Sequence, residues 1–183
     1  MKNILIISGH TDLNDSVANK TILEELENKL PDAKISYLDK LYPDFKIGVK
    51  AEQEKLLKAD IIVLQYPVFW YSMPSLLEHY MEKVFEYGFS HGTDDMKLKG
   101  KRLVVSLTTG AKEEMYTKDN MGEIDSFLNP IKATCKLCEM DYLGHIYTGG
   151  VSFAFRNEPG KIEQMKLISK DHANRLIKLL NEA

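Results

Sequence analysis

Two short runs in this chain are apolar at every position: Ile4-Leu5-Ile6-Ile7 and Ile61-Ile62-Val63-Leu64. A strand with one wet face alternates apolar and polar residues, so an unbroken run needs cover on both faces. A parallel sheet sandwiched between helices provides that cover, and the rest of the pattern agrees with it. Strands are expected at residues 3–8, 34–38, 60–64, 102–107 and 143–147. Between them come amphipathic stretches at 16–30, 52–58, 74–87, 123–140 and 161–182. In the first, Val17, Ile22, Leu23, Leu26 and Leu30 form one stripe, and Pro31 ends it. Residues 41–50 read as irregular, with Pro43 and Gly48, and 88–100 as a polar loop. Pro130 marks a kink or a local helix start. The predicted architecture is α/β: one domain over residues 1–183, with a five-stranded parallel sheet in the order 2-1-3-4-5. In such sheets ligands bind beyond the carboxyl ends of the strands, where strand order reverses.

The bulk properties narrow the function. The formal net charge is −3 and no dense Lys/Arg run is present, which argues against nucleic acid as a partner. No apolar stretch approaches the roughly 20 residues that span a bilayer, and residues 1–7 read as a strand rather than a leader, so the cytoplasm is the expected location. The cysteines, Cys135 and Cys138, are spaced C-x-x-C. Inside a predicted helix, and with only His145 nearby, they read as buried thiols rather than a redox or metal site.

Three loops follow the carboxyl ends of the central strands. The first, residues 8–19, offers His10, Ser16 and Asn19 beside the free amides of a helix N-terminus, groups that suit a phosphate. Ser16 reads equally as an N-cap. Asp12 and Asp15 should face solvent, away from any anion. No Walker or G-x-G-x-x-G pattern occurs here. The second loop, residues 65–74, gathers Tyr66, Phe69, Trp70 and Tyr71. These can stack on a flat ring, or serve as a hydrophobic plug or a dimer surface. The third is Thr108-Thr109-Gly110-Ala111, whose hydroxyls and amides can meet a ring's polar edge, although it is also an ordinary turn. Phosphate site, flat slot and polar edge together describe a flavin mononucleotide.

The segments GHTDLNDSVANK, LYPDF, AEQEKLLKADIIVLQYPVFWYSMPSLLEHYMEKVF and GKRLVVSLTTGA occur in that order. With them the chain resembles the flavodoxin-like NAD(P)H:quinone oxidoreductases. Within these it is most similar to the bacterial branch that includes the ancillary quinone reductase of the glutathione-gated potassium efflux system. The resemblance implies a flavodoxin-like fold and a homodimer whose second subunit helps close the pocket. It also implies ping-pong hydride transfer from NAD(P)H through FMN to a quinone or similar acceptor. FAD is the alternative cofactor. Residue by residue, it implies phosphate and ribityl contacts from His10, Ser16, Val17, Ala18 and Asn19. Ring contacts would come from Val68, Phe69, Trp70 and Tyr71, and pyrimidine-edge contacts from Thr108, Thr109, Gly110 and Ala111. Tyr116 takes the catalytic place at that edge, with a surface tyrosine as the plainer reading. Phe89 and His91 fall in the substrate loop, where His91 reads equally as a solvated side chain.

The chain departs from the family pattern in two places. Ala111 stands where a second glycine is usual. No histidine follows Tyr116, where the animal enzymes pair the two. A regulatory role beside a potassium-efflux antiporter is the alternative function. An electron-carrier flavodoxin is disfavoured by the modest net charge.

Overall fold

The computed structural model describes residues 2–183. Its sheet contains β1 (Ile4–Ser8), β2 (Lys34–Tyr37), β3 (Ile61–Pro67), β4 (Arg102–Thr108) and β5 (Asp141–Thr148). The strands lie parallel in the order β2-β1-β3-β4-β5, as the periodicities predict. The helices are α1 (Ala18–Lys29), α2 (Leu38–Leu41), α3 (Val49–Lys58), α4 (Ser75–Val84), α5 (Ile124–Phe127), α6 (Asn129–Leu137) and α7 (Pro159–Glu182).

Strand alternation sends successive side chains to opposite faces. Ile6, Ile61, Val63 and Val104 meet Ile22, Leu23 and Leu26 of α1 and Ala173, Leu176 and Leu180 of α7. On the other face Leu5, Ile7, Ile62, Leu64, Leu103 and Val105 meet the apolar stripes of α2 to α6. Both faces of the central strands are therefore dry, which is why those runs contain no polar break. Gly9, just past β1, packs so tightly on α4 that a Cβ there would stand 2.9 Å from the Cβ of Leu77.

Several boundaries differ from the sequence reading. β3 runs three residues further, through Gln65, Tyr66 and Pro67, because β1 and β4 flank it and offer pairing as far as Thr108. Tyr66 is consequently a core residue, and the free aromatics after β3 are Phe69, Trp70 and Tyr71. The expected helix over 123–140 breaks at Leu128, and Pro130 sits in the first turn of α6, where its missing N–H costs nothing. Residues 38–41 form a helical turn where the end of the second strand, at 38, and the start of irregular chain, at 41, were expected. Cys135 and Cys138 are buried free thiols, and burial pushes the Cys135 thiol up to about 11. No helix among the described residues is long and apolar enough to cross a membrane.

Candidate functional site

The chain leaves β1 through a 3-10 turn at Leu13–Asp15 and enters α1 with Ser16 still extended. The first N–H groups of a helix have no carbonyl one turn back to bond. One is satisfied locally, since Ser16 Oγ accepts from the Asn19 amide at 3.1 Å. Those of Val17 and Ala18 donate to no protein acceptor among the described residues. Asn19 itself is buried and joins three loops. Its Oδ1 accepts from Gln65 Nε2 at 2.7 Å and from Thr108 Oγ1 at 3.3 Å, while its Nδ2 donates to Ser16 Oγ at 3.3 Å. One side chain thus fixes the ends of β3 and β4 against the start of α1.

His10 lies beside this network. Its Nδ1 accepts the Asp12 N–H at 3.0 Å, so the neutral ring carries its proton on Nε2. Burial lowers the His10 pKa against the opposing pull of Asp39, Asp12 and Asp15. The ring meets Phe69 edge-on at 5.6 Å.

After β3 the chain makes a two-residue reversal. Phe69 and Ser72 exchange both backbone hydrogen bonds at 3.0 Å. Between them Trp70 and Tyr71 have φ of 49° and 67°. Positive φ at both central positions is the type I′ turn, whose usual occupants are Asn and Gly. Placing Trp and Tyr there costs about 1–3 kcal/mol per residue. The strained turn also leaves its side chains uncovered: Trp70 is 94% exposed and Phe69 and Tyr71 are exposed as well.

The third part is built at the ends of β4 and β5. The Thr109 hydroxyl bonds the Tyr147 hydroxyl at 2.9 Å and donates to the Ala111 carbonyl at 3.0 Å. Gly149 passes so close that a Cβ would stand 2.8 Å from the Glu113 amide. Beneath lies His172, buried between the Ser106 and Thr148 hydroxyls, both at 2.8 Å. Burial pulls its pKa down to about 3, with Arg175 adding to the effect. A neutral imidazole has one donor and one acceptor, and the two hydroxyls match both.

These parts enclose a cleft of about 720 Å³ at the carboxyl edge of the sheet. Of the residues singled out by sequence, His10, Ser16, Val17, Ala18, Asn19, Val68, Phe69, Trp70, Thr108, Thr109 and Gly110 line it. Ala111 lines a neighbouring cavity of about 920 Å³ that shares Gly110 with the cleft. Tyr71 and Tyr116 stand outside the lining, linked by an edge-to-face series Tyr71–Phe127–Tyr116–Tyr147 that returns to the cleft at Thr109. Phe89 and His91 lie apart from the cleft in the 88–100 loop, where His91 Nδ1 bonds Ser90 Oγ at 2.9 Å. Asp12 and Asp15 are exposed at the rim, Asp12 holding the Asn14 amide and Asp15 facing Arg156.

Val151, Ser152, Phe153 and Arg156 complete the wall and were missed by the sequence reading. They follow β5, whose carboxyl end opens on the same edge as those of β1, β3 and β4. Extending the edge rule to the fifth strand finds them.

A family model described as Flavodoxin-like fold matches residues 2–170. The chain belongs to that family. Among solved structures, general stress protein 14 from Treponema denticola, in complex with FMN, is 24% identical with a TM-score of 0.85, over 97% of this chain and 99% of that one. A protein described as a thermophilic tryptophan halogenase from Streptomycin violaceusniger is 28% identical with a TM-score of 0.80, over 92% and 96%. An NADPH-quinone reductase from P. pentosaceus is 23% identical with a TM-score of 0.72, over 94% and 98%. The descriptions of these three differ, so what this flavodoxin-like chain shares with all of them is the fold.

Proposed function

We propose that this chain is a flavin-dependent NAD(P)H:quinone oxidoreductase, active as a homodimer, which holds FMN in the cleft and reduces quinones or similar flat acceptors. The observation that carries the reading is the order of groups along one cleft. Unbonded amides of α1 and the Arg156 cation stand at one end. Val68, Phe69 and Trp70 form the apolar wall, and Thr108, Thr109 and Gly110 form the polar end. The volume lies within the range of small-molecule sites. The FMN carried by the T. denticola protein and the activity named for the P. pentosaceus protein support the same reading.

The residues fit the cofactor. Val17, Ala18 and Arg156 would hold the phosphate, Asn19 and His10 Nε2 the polyhydroxyl chain, and Val68, Phe69 and Trp70 the ring. Thr109, Gly110 and Ala111 would face its polar edge. Bound flavin supplies hydride acceptance and donation. Negative charge at the polar edge would be met by backbone amides, while the Thr109 hydroxyl, donating to the Ala111 carbonyl and bonded to Tyr147, holds that turn in shape. Tyr116 packs edge-on against Tyr147, and no histidine follows it closely in the chain. Burial raises the Tyr147 hydroxyl to about 12, so at neutral pH it donates rather than ionises. In the dimer the exposed Phe69, Trp70 and Tyr71 turn is covered by a second copy, and Phe89 and His91 reach the acceptor pocket from across the interface.

The test is reconstitution with FMN and FAD, identification of the retained flavin by mass spectrometry, and initial rates with NADPH and a soluble quinone. Parallel double-reciprocal lines are expected. Protein that stays colourless overturns the reading. Yellow protein with negligible turnover favours the ancillary role beside an antiporter.

A further inference from the structure

We propose that Arg156 reads the flavin phosphate and that its pairing with Asp15 closes the cleft behind that one phosphate, selecting the mononucleotide over the dinucleotide. The inference rests on the flavin reading above. The Arg156 guanidinium is positioned without a ligand: it lies 3.6 Å over the Phe153 ring, and Nη1 donates to the Phe153 carbonyl at 3.1 Å. Its Nε is 3.5 Å from Asp15 Oδ1, and both side chains are partly exposed, at 34% and 54%. A pair that long and that wet is worth little. Asp15 faces only Nε and the Phe153 carbonyl takes one Nη1 hydrogen, so Nη2 is left to meet a phosphate while the pairing with Asp15 stays in place.

The same two side chains also wall a second groove, of about 440 Å³, on the outer side of the α1 start. That groove carries the cations Lys20 and Lys166 beside Glu24. The Asp15–Arg156 bridge is thus a partition between a cleft sized for one flavin and a basic groove beyond it. A dinucleotide would have to thread its second phosphate past the Asp15 carboxylate. A mononucleotide meets only the arginine and the α1 amides.

The experiment is titration of the full chain with riboflavin, FMN and FAD by flavin-fluorescence quenching, for wild type, Arg156→Gln and Asp15→Asn. Wild type should bind FMN more tightly than either riboflavin or FAD. Arg156→Gln should weaken FMN about tenfold or more, the loss of a charge-assisted contact, while riboflavin stays within about twofold. Asp15→Asn should shift the FAD-to-FMN affinity ratio toward FAD by about threefold. FMN affinity unchanged in Arg156→Gln, or FMN and riboflavin falling together, overturns the phosphate role. An unchanged ratio in Asp15→Asn overturns the selection. Wild type that binds riboflavin and FMN equally removes the phosphate site while leaving the flavin reading intact; wild type that binds none of the three removes both.

Discussion

Asn19 and Trp70 line the same cleft, yet Asn19 is 3% exposed and Trp70 is 94% exposed. The asparagine is held by Gln65, Thr108 and Ser16 before anything binds. The tryptophan sits at the tip of a turn whose backbone is strained, and its own side chain is almost wholly uncovered. Preorganised groups bind without reordering cost, whereas an exposed aromatic gains its burial only when a ligand or a second subunit arrives. The difference separates a rigid anchor for the phosphate and chain from an adaptable wall for the ring.

The sharpest way to break the comparison is Asn19→Ala. It strands Gln65 Nε2 and the Thr108 hydroxyl in a buried place, at about 1–3 kcal/mol for each lost partner. Urea or thermal unfolding should show a loss of about 3 kcal/mol together with loss of flavin binding. A change under about 0.5 kcal/mol would mean the network is ornamental.

A second break acts through acid on the same buried side. His172 has a folded pKa of about 3 against 6.5 for the ordinary side chain, so below pH 6.5 the unfolded chain binds the extra proton. Its contribution is fully present above pH 6.5 and is lost as pH falls toward 3, at up to about 1.4 kcal/mol per pH unit. The measurement is unfolding free energy against pH for wild type and His172→Gln. The wild-type curve should fall more steeply between pH 6 and about pH 4, with His10 and His145, also lowered by burial, supplying the slope that remains. Parallel curves would remove His172 from this account.

The turn should respond with the opposite sign. Replacing Trp70-Tyr71 by Asn-Gly supplies the residues a type I′ turn prefers. The monomer should gain about 1–2 kcal/mol in stability while flavin affinity falls. A destabilised variant would show that the lost Tyr71–Phe127 contact outweighs the relief of backbone strain. The smallest expected effect on stability is that of Tyr116→Phe, within about 0.5 kcal/mol, with turnover reduced if the hydroxyl serves the ring edge. Stopped-flow reduction by NADPH separates the two effects.

Burial made most of the fold readable. Ile4–Ile7 and Ile61–Leu64 declared two-sided cover, and the strand order followed from that and the helices between. The readings that slipped lie where neighbours override local pattern. Tyr66 looks like its loop companions, but flanking strands draw it into β3 and the core. The backbone of Trp70 and Tyr71 was hidden for a related reason: nothing in W-Y signals positive φ, since side-chain function there outweighs turn preference. Arg156 escaped because it lies in a stretch without a motif, and only the sheet's geometry brings it to the α1 terminus.

The chain contains a single tryptophan, and it is Trp70, at the exposed tip of the turn. Its fluorescence therefore reports on the adaptable wall alone, without interference from any other site. FMN titrated into flavin-free protein should quench this emission, saturating at one FMN per chain. Flavin that binds while the Trp70 emission keeps its intensity, or an absence of any binding at all, would contradict the account.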